Sequence, residues 1–194
     1  MPESRLAPVS DGDRSRIVDT LVLAFAADEV ERWMYPDARS YLAHFPAFIE
    51  AFGGRAFEHG TVWELEDLRA VALWLPPGTE SDGDALLAVV AETVAADKLD
   101  DLYAVVAQMA EVHPTYPHWY LAWLGVDPAS QGRGLGGELL GRCLQVVDES
   151  RLPAFLETSN PRSIPLYERH GFELVVEARA GGCPPVAGML RAAR

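Results

Sequence analysis

Cysteine is scarce in this chain: two among 194 residues, Cys143 and Cys183, in no CxxC spacing and no Cys/His cluster. That pattern suggests neither a disulfide scaffold nor zinc, and no metal is expected. No apolar run approaches the roughly 18 residues of a membrane-spanning helix. The opening MPESRLAPVSDGDRSR is polar where a secretory signal needs an apolar stretch. The expectation is a cytoplasmic protein without a membrane partner. Positive charge is short as well: 16 Lys and Arg against 29 Asp and Glu leave a net −13. Phosphate backbones bind to a positive footprint, so nucleic acid is not expected as a partner. A cationic partner suits the charge better, although the same charge also serves plain solubility.

What is present is ordinary globular composition, 49% hydrophobic and 23% charged, in a length that suits one domain over residues 1–194. Residues 5–9 read as a short strand. Asp11 and Asp13 are N-cap candidates for a helix whose Ile17, Leu21 and Phe25 recur every four residues. ADEVERWMYPDA interrupts it, and SYLAHFPAFIEAF resumes helical spacing, broken or kinked near Pro46 and ended by Gly53 and Gly54. TVWELED and LRAVALWLPP read as hairpin strands. Residues 84–109 read as helix with a break around Lys98 to Asp101, closed by His113 and Pro114. HWYLAWLGV is a strand, GELLGRCLQVVDE a helix burying Leu140, Cys143, Leu144 and Val147, and PAFLETS a strand. NPRSIPLYERHG is a short helix ended by Gly171, and FELVVEAR and PVAGMLRA are the last strands. The order gives an α+β class built on a mixed sheet.

QGRGLGG, Gln131 to Gly137, lies between a strand and a helix and offers four glycines. Bare backbone there, with the free amides and dipole of a helix start, makes an anion site suited to phosphate. As GxGxxG, Gly132, Gly134 and Gly137 match a dinucleotide fingerprint, with Glu157 at the end of the next strand. That fingerprint wants its first glycine directly after the strand and several more βα units; DPASQ intervenes here and the chain soon ends. A plain glycine-rich turn leaves the arginine and the helix start unexplained.

Gln131-Gly132-Arg133-Gly134-Leu135-Gly136 also has the form Q/R-x-x-G-x-G/A, and LGVDPASQGRGLGGELL, Asn160 and LYERHGF continue the pattern. In these stretches the chain resembles the GNAT superfamily of acyl-CoA N-acyltransferases. PAFLETSNPRSIPLYERHGFE, VALWLPPGT and LVLAFAADEVERWMYPD are further similar to the puromycin N-acetyltransferases of that superfamily. The chain departs from them at 28–37 and 84–118, the segments that would shape an acceptor pocket. The resemblance implies a mixed, mostly antiparallel central sheet flanked by helices. It implies acetyl-CoA as co-substrate, with Gln131, Gly132, Arg133, Gly134, Leu135, Gly136 and Gly137 at the pyrophosphate. Backbone groups of Leu124, Gly125 and Val126, and Asn160, would lie along the pantetheine.

The implied reaction moves an acetyl group to the amine of a small molecule by direct attack, without a covalent enzyme intermediate. The resemblance makes Tyr167 the acid that meets the thiolate; the alternative is a packed core tyrosine. Asn160 is equally an N-cap, and Arg133 either pairs with phosphate or stays solvated. Candidates for a base are Glu157, His118, Asp28 and Glu29, beside a base acting through water or none at all. Trp33 and Tyr35 are candidates for an aromatic wall, with Asp28 and Glu29 attracting a cationic acceptor. The rival function is an acyl-CoA-binding module of the same fold without turnover. Either a monomer or a homodimer is expected.

Overall fold

The computed structural model describes Leu6, Val9 and residues 11–194. The strand expected over residues 5–9 falls mostly outside that set. Helices α1 (Arg14–Ala24), α2 (Glu29–Met34), α3 (Ala38–Gly53) and α4 (Arg55–Glu58) lead to strands β1 (Val62–Leu65) and β2 (Ala70–Leu75). Helices α5 (Gly83–Thr93) and α6 (Ala96–Val112) follow, then β3 (Trp119–Val126), α7 (Leu135–Glu149), β4 (Ala154–Thr158), α8 (Ile164–Arg169), β5 (Glu173–Ala180) and β6 (Cys183–Arg191). The six strands form one sheet in the order β1-β2-β3-β4-β6-β5. Every neighbouring pair is antiparallel except β3 with β4.

The sheet separates two apolar cores. On one face α1, α2, α3 and α5 bury Ile17, Leu21, Tyr35, Phe45 and Ile49 against Val71, Leu73, Tyr120 and Phe155. On the other, the stripe Leu139, Leu140, Cys143, Leu144 and Val147 of α7 meets Trp74, Leu121 and Leu156, with Tyr167 and Phe172 beside them. These are the alternate residues of the same strands, so period-two patterning fills both layers. A bidentate pair from buried Arg191 to Asp148, at 2.6 and 2.9 Å, ties β6 to α7.

Several boundaries differ from the sequence reading. ADEVERWMYPDA contains a helix, α2, because Asp28 caps it by accepting from the amides of Val30 and Glu31. Helix α3 runs through Pro46. The carbonyl deprived of a partner belongs to Leu42, whose side chain is 61% exposed, so that face of the helix meets water. The break in 84–109 lies at Val94 and Ala95, where both residues are extended, and Lys98 to Asp101 start α6. Asp13 adopts a helical conformation and its carboxylate takes the Arg16 guanidinium.

Candidate active site

The site begins with a fault in the sheet. Strand β3 pairs with β2 from Ala70↔Val126 to Leu73↔Trp123, then skips to Trp74↔Leu121, leaving Ala122 as an extra residue. Ala122 and Trp123 therefore both pack on the α3 face, and the alternation reverses beyond them. Such a bulge bends its strand. Parallel pairing of β3 with β4 covers only Trp119↔Ala154, Tyr120↔Phe155 and Leu121↔Leu156, and stops where the bulge begins. Past that point, among the described residues, no strand pairs with the edge of β3 from Ala122 to Val126 on the β4 side. Backbone of Leu124, Gly125 and Val126 lies on this open edge. Gly125 has its own reason to be glycine: a Cβ would come within 2.8 Å of Leu21 Cδ2.

The glycines after β3 divide into two jobs. Gly132 and Gly134 have φ of +76° and +86°, and a Cβ at either would meet nothing within 4 Å. Gly134 caps α7 in this left-handed conformation. The first intrahelical bond is Glu138 N to Gly134 O, so the amides of Leu135, Gly136 and Gly137 point out of the helix start unpaired within it. Gly136 and Gly137 serve packing, with would-be Cβ contacts of 3.3 Å to Val126 and 3.2 Å to Leu166. Gln131 Nε2 donates to Val126 O, which folds the loop back onto the strand. Arg133 is exposed and forms a two-point surface pair with Glu66 at 3.0 and 3.2 Å. Glu66 belongs to a β1–β2 turn in which Glu66, Asp67 and Leu68 all have positive φ.

At the fork itself sits Glu157, the first β4 residue beyond the last β3 pair. It shares the Phe155 face, opposite α7. Burial pushes its carboxyl from the usual value near 4.5 up to about 7. Its Oε1 stands 4.0 Å from Nδ1 of His113. Nε2 of His113 lies 3.1 Å from Nε2 of His118, whose Nδ1 lies 2.8 Å from the carbonyl of Tyr116. Burial and the neighbouring His118 hold His113 below its ordinary pKa.

Tyr167, on α8, is buried on the α7 face with its ring edge-on to Phe172, centroids 6.0 Å apart. Burial keeps its phenol well above the usual pKa, hence protonated. Asn160 caps the turn that leads into α8, accepting from Arg162 N at 3.0 Å. His170 ties α8 to α7, its ring nitrogens meeting Leu166 O and Gly137 O at 2.9 and 3.1 Å.

The acceptor candidates are not brought together as a wall. Asp28 is engaged by the α2 cap and by the Ser159 hydroxyl, at 2.6 Å. Glu29 is exposed on the first turn of α2. Tyr35 is fully buried, its hydroxyl 2.9 Å from that of Thr93, so it belongs to the core. Trp33 is half-buried, and the chain's one lysine, Lys98, lies over its ring at 5.4 Å and donates to its carbonyl.

Residues 41–172 match the Acetyltransferase (GNAT) family, more than half of the sequence. The chain belongs to the GNAT acetyltransferase family.

Mycothiol acetyltransferase of Beutenbergia cavernae is 29% identical over 183 residues, 91% of this chain and 50% of that protein. The chain spans about half the length of the curated relatives it matches. Among solved structures, a histone acetyltransferase HPA2 and related acetyltransferase of Corynebacterium glutamicum superposes with TM-score 0.67 at 24% identity, covering 97% of this chain and 96% of that one. Polyamine N-acetyltransferase of Drosophila melanogaster, described as forming N-acetylagmatine, superposes with TM-score 0.60 at 17% identity, covering 95% and 97%. At these identities the structures share the GNAT fold. GNAT enzymes use acetyl-CoA as co-substrate, and the unpaired amides and open space at Gly132 and Gly134 suit its pyrophosphate.

Sequence reasoning missed the Ala122 bulge, His113 as a neighbour of Glu157, and Glu66 as the partner of Arg133. Only His113 carried a signal, as a histidine five residues before His118, and helix termination explained it equally well. Among the described residues no helix is long and apolar enough to cross a membrane.

Proposed function

We propose that the protein is an N-acetyltransferase that moves the acetyl group of acetyl-CoA to the amine of a small molecule carrying an aromatic or apolar body. The carrying observation is the fork: an unpaired β3 edge, a phosphate-competent helix start at one end, and the raised carboxyl of Glu157 where the strands part. The amides at 135–137, with Gln131, Gly132, Arg133 and Gly134, would hold the pyrophosphate. The backbone of Leu124, Gly125 and Val126 would take the pantetheine as an added strand, with Asn160 at its side.

Holding the thioester and amine together supplies much of the rate acceleration. Glu157 takes the proton that the ammonium must lose, and a carboxyl of pKa about 7 is well matched to that task near neutral pH. The amine nitrogen bonds to the carbonyl carbon, the carbon–sulfur bond breaks, the sulfur takes a proton from the Tyr167 phenol, and the second proton that the nitrogen sheds on becoming an amide restores the phenol. No side chain is acetylated on the way. Exposed Glu29, Trp33 and the net charge of −13 favour a cationic acceptor. Polyamine acetylation by the Drosophila structural neighbour is in keeping with that class. Aminonucleosides such as puromycin belong to it too.

A panel of cationic, aromatic, aminonucleoside and acidic amines with acetyl-CoA, read as free thiol, tests the reading. Turnover with cationic or aromatic amines, and poor turnover with glutamate or aspartate, is the expected result. Tight acetyl-CoA binding with no turnover of any amine would replace it with the non-catalytic module.

A further inference from the structure

Glu157, once protonated by the acceptor, must lose that proton before the next turnover, and the groups around it show where the proton goes. His113 ends α6 and packs edge-on against Phe155 of β4 and Tyr120 of β3, with ring centroids 4.9 and 5.1 Å away. Its tautomer follows from a chain of contacts. The Tyr116 carbonyl only accepts, so Nδ1 of His118 carries the hydrogen and, in the neutral ring, Nε2 of His118 accepts. Nε2 of His113, 3.1 Å away, is then the donor. A neutral His113 is left with a bare Nδ1, and this is the nitrogen that stands 4.0 Å from Glu157 Oε1. One backbone carbonyl thus orients a lone pair toward the carboxyl.

We propose that His113 is a positioning residue for acetyl transfer that takes the proton from Glu157 to solvent, and that His118 and the Tyr116 carbonyl fix the tautomer in which it can do so. This rests on the assignment of Glu157 as base. The proton leaves the ammonium for Glu157 and passes from Oε1 to Nδ1 of His113. The 4.0 Å separation closes by a small side-chain rotation or a single water. His113, then cationic, releases the proton to solvent, its side chain being 34% exposed. Each transfer moves one proton and no electrons. The groups facing His113 are Glu157 from β4, Tyr120 and His118 from β3 and its approach, and Glu80 at longer range from the β2–α5 connection. His113 is held below its usual pKa, so it hands the proton on.

The test uses the full chain with acetyl-CoA and the best amine of the panel, in weak buffer. His113→Ala should lower kcat by about tenfold, a modest part of what positioned proton transfer contributes. KM for acetyl-CoA should stay unchanged, and added imidazole, corrected for a blank without amine, should restore kcat. His118→Phe should share the loss and His118→Gln, whose amide oxygen can still accept from His113, should recover it. A wild-type kcat in His113→Ala overturns the proposal. So does a loss that imidazole leaves untouched, or equal rates in the two His118 variants. If the wild-type chain acetylates no amine, the enzyme reading falls and this proposal with it; if it does and the histidine variants are indifferent, this proposal alone falls.

Discussion

Replacing Glu157 by Gln keeps the shape of the side chain and removes its charge, and it should move activity and stability in opposite directions. Burial is the cause of the raised carboxyl, which moves from near 4.5 to about 7. Below the unfolded value both states are protonated and burial costs nothing. As pH rises through 4.5 the unfolded chain ionises first and its free energy falls, so stability is lost until the folded carboxyl also ionises near 7. At about 1.4 kcal/mol per pH unit, the loss above that window reaches about 3 kcal/mol, less whatever His113 returns by approaching the carboxylate. The side chain is 23% exposed, so little of that is screened by solvent. Glu157→Gln should therefore unfold at higher denaturant than the parent at about pH 8 and at nearly the same denaturant at about pH 4. Its kcat/KM should drop roughly 10²-fold or more. The parent's kcat/KM should climb with pH and level off near 7, and the variant should lack that limb. A variant with the parent's rate and the parent's ascending limb would refute the assignment of Glu157 as base.

Much of the architecture was legible because it rests on local pattern. Continuous apolar runs such as AVALWL and WYLAWLGV become central strands buried on both faces, and the 3.6-residue stripe of α7 finds the core as its spacing requires. The helix after the glycines was legible for the same reason, although it starts at Leu135, two residues before the GELLG stretch read for it, because Gly134 caps it in a left-handed conformation. What was hidden depends on partners distant in sequence. The Ala122 bulge exists only relative to Leu73 and Trp74, and the fork it opens is a relation between three strands. His113 reads as a helix end until the sheet brings it to Glu157. Asp28 looks like a free carboxylate in a loop, yet its oxygens are taken by a helix it creates and by Ser159. Arg133 meets Glu66 across a turn of three left-handed residues that no glycine announces.

Gly134→Val places a β-branched side chain at φ +86° over the amides proposed to hold the pyrophosphate, and calorimetry should find acetyl-CoA binding lost in a chain that remains folded. Tyr167→Phe should lower kcat by roughly 10²-fold while leaving acetyl-CoA affinity nearly unchanged; an unaltered rate makes Tyr167 a packing residue. Glu66→Ala frees Arg133 and removes a carboxylate near the proposed phosphate site, so acetyl-CoA should bind several-fold tighter at low salt, with the gain fading as salt rises. The last prediction concerns Glu31, which is 5% exposed and has one carboxylate oxygen, Oε2, without a hydrogen-bond partner among the described residues. Burial, with Asp28 close by, holds its pKa well above the usual carboxylate range. Its neutral form is the one the fold accepts, so stability declines as pH rises past the unfolded value near 4.5. Methionine matches its length and needs no partner for a polar atom. Glu31→Met should stabilise the chain near neutral pH by the cost of an unsatisfied buried polar group, about 1–3 kcal/mol, together with the cost of keeping the buried carboxyl uncharged above its unfolded pKa. The gain should shrink in acid, where the parent's carboxyl is neutral in both states. Denaturant titrations across that range decide it: a variant no more stable than the parent near neutral pH, or a gain independent of pH, would show that the Glu31 carboxyl has a partner when the protein is in solution.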